Sequence, residues 1–385
     1  MKLFKSLLVT PAVLGLLTPI SASASEVNLN YISNYSDIES IEFANSFSND
    51  DSNDKTLLAG GEGLIDDLSY DGSFSETTTA SFSADMYLGS LDDEEATPVD
   101  DDAVMAGYSF QIDLNTSFTG EDSLDVSIDA GNAGGGLSEF DLNDFGTDDA
   151  LGVDGIAYTF PVGSVTMFAG ADTDGSYLYN TACVYGGPSN TLDDCGNASS
   201  ALGAATTAAG ASFSLGNGFD LALGYTGDGT GNGLMTAEGM DSYGGQVTYT
   251  ADSFGASVTY ALIEGASATD TTYYALNGYW TPDETGSLPS ISVGYETSDP
   301  ENTTTDSTQW FVGLQWDEIG PGTLGAAVGT TGAIADDADE TLMYEAFYSY
   351  SVNDGMTITP YVWINEEDAL NTDDTGIAVV TTFSF

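Results

Sequence analysis

The chain has 385 residues and carries 61 carboxylates against three lysines, with no Arg or His, for a formal charge of -58. A polyanion of that density repels phosphate, which excludes nucleic acid as a partner, and without histidine there is no Ser-His or Cys-His nucleophile and no imidazole-held zinc. A carboxylate pair for glycoside hydrolysis would occur by chance among so many acids, so no enzyme is expected; yet 41% hydrophobic residues argue against a disordered acidic chain.

Residues 1–24 combine Lys2 and Lys5, an apolar stretch from Leu7 to Leu17 and a small-residue exit at Ala22-Ser23-Ala24. This is the layout of a secretory signal, too short and interrupted for a membrane helix. Residues 25–75, rich in Asn, Ser and Asp, are expected to be a short acidic segment, disordered or periplasmic. Export makes a disulfide possible.

From residue 76 to 385 no window holds a long apolar run or a sustained helical period. Short stretches of apolar–polar alternation recur instead, broken by Gly, Asp and Asn. They predict sixteen strands near 76–88, 104–118, 123–130, 153–160, 164–171, 206–215, 219–226, 242–251, 254–263, 271–281, 289–298, 308–316, 322–330, 341–352, 356–365 and 374–385. The connections alternate in length. Asn353-Asp354-Gly355, Gly216-Asn217-Gly218 and Pro161-Val162-Gly163 are short, whereas roughly 89–103, 131–152 and 172–205 are long and hold much of the acid. The expected fold is all-β: a transmembrane antiparallel β-barrel with short periplasmic turns and long acidic extracellular loops. A halophile-like soluble β protein shares the composition and is the rival architecture.

Alternation also assigns faces. In Phe110-Gln-Ile-Asp-Leu114 and Leu124-Asp-Val-Ser-Ile128 one face is apolar, which leaves Asp113, Asp125 and Asp129 for the lumen or a rim, since carboxylates facing lipid are costly. Tyr344, Phe347, Tyr348, Tyr350, Tyr361, Trp363, Phe383 and Phe385 suit an interfacial aromatic girdle. No aromatic ladder along the lumen, the mark of a sugar channel, is discernible. Cys183 and Cys195, the only cysteines, lie in a Gly-, Ser- and Asn-rich stretch and suit a local loop staple rather than a redox or metal site. Such a bridge contributes about 3 kcal/mol. Acidic runs at Asp92-Asp-Glu-Glu95 and Asp100-Asp-Asp102 match no calcium-loop spacing; weak Ca²⁺ or Mg²⁺ binding by the loops is the most they suggest, and no cofactor or metal centre is expected.

The segments Ser109 to Asn132 (SFQIDLNTSFTGEDSLDVSIDAGN) and Tyr344 to Pro360 (YEAFYSYSVNDGMTITP), with the closing Thr-Thr-Phe-Ser-Phe, resemble the cyanobacterial porins of the carbohydrate-selective porin superfamily. The resemblance implies a sixteen-stranded barrel in the outer membrane, passive diffusion of small hydrophilic solutes, a homotrimer, and Phe385 as the terminal recognition residue for the barrel-assembly machinery. The connection at 172–205 stands where general porins carry a loop that folds inward, which makes Asp172, Asp174, Asp193 and Asp194 candidates for a constriction; an exposed loop held by a disulfide is the alternative. The chain departs from that family in leaving too little room after the signal for an S-layer-homology module, and in lacking Arg and Lys in its strands. A lumen of one sign is expected to prefer cations. A secreted acidic surface protein and a solute-specific channel are the alternatives.

Overall fold

The computed structural model of the protein describes residues 77–92, 103–132, 149–229, 233–236, 239–265, 270–284, 286–301, 305–367 and 372–385. The predicted signal at 1–24, the segment 25–75 and the acidic runs at 93–95 and 100–102 lie outside the described residues.

Strands form where apolar and polar residues alternate. In chain order they are β1 (Thr78–Asp92), β2 (Met105–Thr116), β3 (Ser123–Gly131), β4 (Gly152–Val162), β5 (Val165–Ala171), β6 (Thr207–Gly216), β7 (Phe219–Gly227), β8 (Asp241–Thr250) and β9 (Phe254–Ile263). There follow β10 (Thr271–Trp280), β11 (Ser290–Pro300), β12 (Ser307–Ile319), β13 (Gly322–Thr330), the two-residue β14 (Ile334–Ala335), β15 (Leu342–Asn353), β16 (Met356–Glu367) and β17 (Thr372–Ser384). Each long strand pairs antiparallel with its chain neighbours, and β1 closes the ring by pairing with both β2 and β17. Closure leaves no edge strand, so every ladder group finds a partner without water. The β14 segment merely clips Thr308 to Ile334 within a connection, so the barrel has sixteen staves.

Local chemistry sets the short turns. Asn217 and Gly218, at φ 55° and 83°, join β6 to β7 in a two-residue link where both positions need left-handed backbone, as a primed hairpin turn demands. Between β2 and β3 one carboxylate organises the turn: Asp122 accepts from the Tyr158 hydroxyl, the Phe118 and Thr119 amides, and the Ser117 and Thr119 hydroxyls. These donors, Tyr158 foremost, hold its carboxyl well below the usual range. The predicted alternation of connection lengths holds for most of the ring but inverts locally. Residues 281–289, on the short-turn rim, outnumber 301–306 and 368–371 on the other, because β11, β16 and β17 extend past their predicted ends.

Register fixes the two faces. Phe82, Met86, Leu88, Leu223, Val247, Val258, Leu276, Val293 and Val362 all lie on the outer face and are exposed. Outward positions bear carboxylates only near strand ends at the long-loop rim, as at Asp92, Asp241 and Asp373, whereas Asp85, Asp113, Asp125, Asp220, Glu296, Asp317 and Glu345 take the inward parity. An apolar outside around a polar inside is the reverse of a water-soluble sandwich and matches the hydrocarbon slab. Outward aromatics gather in two bands: Phe82 against Phe385 (5.7 Å between centroids), Tyr158 against Phe160 (5.3 Å) and Phe219 against Tyr249 (4.7 Å) at the short-turn side, and Tyr260 against Tyr274 (5.6 Å) toward the other. The girdle prediction fails at three positions. Phe347, Tyr361 and Trp363 have the inward parity and are buried, Tyr361 stacking on Trp363 at 4.7 Å, because the barrel interior is itself packed against a folded-in loop.

Candidate pore constriction

That loop is the connection at 172–206, here termed L3. Its neck is closed by a bridge between Thr173 and Ala205 and by the Gly175 amide donating to the Leu202 carbonyl at 2.7 Å. Cys183 and Cys195 form the expected disulfide across the loop body, with Cα atoms 6.5 Å apart.

L3 is fastened to the inner wall stave by stave. The Asn180 amide donates to Gln246 Oε1 on β8 (2.7 Å), the Ala182 amide to Ser257 on β9 (3.0 Å) and the Val184 amide to Ser292 on β11 (3.0 Å). Returning, Asn277 of β10 donates to the Cys195 carbonyl at 2.9 Å, and the Ser200 amide reaches Glu296 Oε2 at 2.7 Å. Farthest round the ring, the Tyr185 hydroxyl donates to Glu345 Oε1 on β15 at 2.5 Å. Burial and the adjacent carboxylate keep this phenol protonated, its pKa pushed far above the ordinary value. Wall side chains thus satisfy loop amides that would otherwise lose water without compensation.

Close approach needs bare backbone on the wall. A Cβ on Gly294 would overlap the Cys195 carbonyl, one on Gly224 the Gly175 carbonyl, and one on Gly244 would lie 2.5 Å from the Tyr179 hydroxyl. On the same inner surface Tyr185 rests against Phe311 (5.3 Å) and Phe347 (6.0 Å), in an apolar cluster with Leu192, Met343, Tyr361 and Trp363. Glycine, hydroxyl, amide and aromatic side chains together make the seat.

The predicted acids divide into two populations. Asp113 and Asp125 lie on the inner face of adjacent staves. Asp113 accepts from Gln111 and Ser127, and Asp125 accepts from Ser123 and from the Tyr177 hydroxyl of L3 (3.3 Å), while both retain solvent exposure. Burial, and then the charge of Asp125, push the Tyr177 pKa up. Asp129 shares that face but is only 4% exposed. On L3, Asp172, Asp174 and Asp193 are exposed, while Asp194 is half-buried, accepts from the Gly196 amide at 2.7 Å, and has its pKa raised to about 6 by burial and by the facing Glu296. The two acids that anchor the loop, Glu296 (2% exposed) and Glu345 (5%), are not among the residues that parity singled out. The available signal is a carboxylate at inward parity in mid-strand, among Ser and Gly on β11 and among apolar residues on β15.

Compared with known proteins, the sequence matches no family model and no curated protein. Among solved structures, the anion-selective porin from Comamonas acidovorans superposes with a TM-score of 0.58 at 13% identity, covering 80% of this chain and 99% of its own. A triple mutant of the Rhodopseudomonas blastica porin aligns at 14% identity with a TM-score of 0.48, over 80% of this chain and 100% of that one. The fold is that of a porin. The resemblance to cyanobacterial porins thus holds at the level of fold; neither its carbohydrate-selective superfamily nor the missing S-layer-homology module is tested by these likenesses.

Proposed function

We propose that the protein is an outer-membrane general porin that passes small hydrophilic solutes by diffusion and prefers cations. The observation that carries this reading is the sorting of acids: Asp85, Asp113 and Asp125 on the inner face of β1–β3 and Asp172, Asp174 and Asp193 on L3 retain solvent exposure, in a chain with no basic side chain after Lys55. A water-filled path lined by one sign of charge concentrates the opposite ion and repels its own. The Comamonas porin is named as anion-selective, so the fold alone does not dictate the sign; the lining does. No catalytic role is assigned.

The family resemblance supports three further elements of the proposal. The long-loop rim faces outward from the cell, three copies assemble into a trimer in outer-membrane lipid, and Phe385, 79% exposed at the end of β17, is recognised by the barrel-assembly machinery.

Swelling of liposomes carrying the refolded protein tests the reading. Small neutral sugars and potassium salts of small anions should enter at rates that fall with solute size. Liposomes that remain osmotically tight with correctly folded protein would refute a diffusion pore.

A further inference from the structure

Asp241 stands apart from the other acids. It opens β8 on the outer parity at the long-loop rim, yet it is 1% exposed, sealed beside the described residues of the β7–β8 connection. Its Oδ1 accepts the Tyr225 hydroxyl at 2.6 Å, and its Oδ2 has no hydrogen-bond partner among the described residues. A buried carboxylate left half unpaired is costly. Elsewhere an Arg or Lys would neutralise it, but the chain has none after Lys55.

Oxygen atoms frame the place that a side chain on Gly239 would fill. A methyl placed on Gly239 would meet the Gly233 carbonyl at 3.0 Å, Asp241 Oδ2 at 3.2 Å and Thr236 Oγ1 at 3.3 Å, so three unlike oxygens converge on the space beside a residue with no side chain. A carboxylate, a main-chain carbonyl and a hydroxyl are the donor set of a hard divalent cation that completes its shell with water.

The geometry points to a Ca²⁺ site at the rim, held by Asp241, the Gly233 carbonyl and Thr236, which ties the β7–β8 connection down onto the barrel wall. With a single carboxylate among its protein ligands, the site belongs with extracellular calcium modules, at a Kd on the order of 10⁻⁴ to 10⁻³ M. The ion neutralises Asp241 from outside the chain, as the missing basic residue would have done from within.

Terbium, a luminescent calcium substitute, tests the site, because Tyr225 on Asp241 Oδ1 and Tyr243 beside it are sensitisers at contact range. The full chain, refolded in detergent and checked for heat-modifiable migration, is titrated with Tb³⁺ under tyrosine excitation. A saturable luminescent component displaced by Ca²⁺ is expected, weakened about tenfold or more in Asp241→Asn. Should that variant not fold, Thr236→Ala and Gly239→Ala, which remove one ligand and fill the cradle, are expected to weaken the same component. A wild-type signal that never saturates, or one unchanged by the substitutions, overturns the site.

Discussion

The inner wall of β8–β15 and that of β1–β3 are built from the same strand alternation and the same acidic chain, and they do different work. On the first, Glu296 and Glu345 are buried, each bonded to L3, among glycines and aromatics that let the loop press against bare backbone. On the second, Asp113 and Asp125 keep water contact and bond mostly to neighbouring wall side chains. Under the proposed cation preference, burial rather than residue type separates an acid that seats L3 from one that meets the permeating ions.

The strongest way to break the contrast is to unseat L3 without touching an acid. In Gly294→Val the new side chain occupies the position of the Cys195 carbonyl, and overpacking of this kind costs roughly 1–3 kcal/mol. The barrel should still migrate as a folded species before heating, while single-channel conductance rises and becomes noisy. Unchanged conductance would show that L3 does not narrow the path.

A milder effect is expected of Glu345→Leu. The buried Tyr185 hydroxyl loses its acceptor, a penalty of about 1–3 kcal/mol, and the end of the loop farthest from its neck loosens. Conductance should fluctuate, while the ratio of cation to anion permeability stays near wild type because Glu345 does not line water. A large loss of cation preference would erase the distinction between anchoring and selecting acids.

The smallest effect is one of pH. Asp194 is raised to about 6, so the folded loop favours its protonated form. The sign follows: the seat is most stable below about pH 4, the carboxylate's unfolded pKa, and loses that contribution as pH rises through the folded value near 6. Over that window L3 should loosen slightly and cation preference should climb, with a midpoint that disappears in Asp194→Asn. A flat profile between pH 4 and 7 would place Asp194 outside the ion path.

Much of this was legible in the sequence. Each of the sixteen predicted strands is present, because period-two alternation and Gly or Asn punctuation are local signals, and parity placed Asp113 and Asp125 on the inner face. The disulfide and the infolding of L3 were also within reach. The seat was not. Tyr185 and Glu345 are 160 residues apart, and nothing in either strand or loop states which stave the loop will meet. Gly224, Gly244 and Gly294 look like strand defects until the loop is laid against them. Aromatic residues near strand ends normally belong at the lipid interface, but the packed interior claims Phe347, Tyr361 and Trp363.

The zero-current potential across a KCl gradient, measured in planar bilayers at neutral pH for the wild type and for the Asp113→Asn, Asp125→Asn pair, addresses the central claim most directly. A strong cation-selective potential in the wild type that falls in the pair, at unchanged high-salt conductance, is the predicted result. An anion-selective or unselective wild type, or a pair indistinguishable from it, would contradict the assignment of selectivity to the water-facing acids of β1–β3.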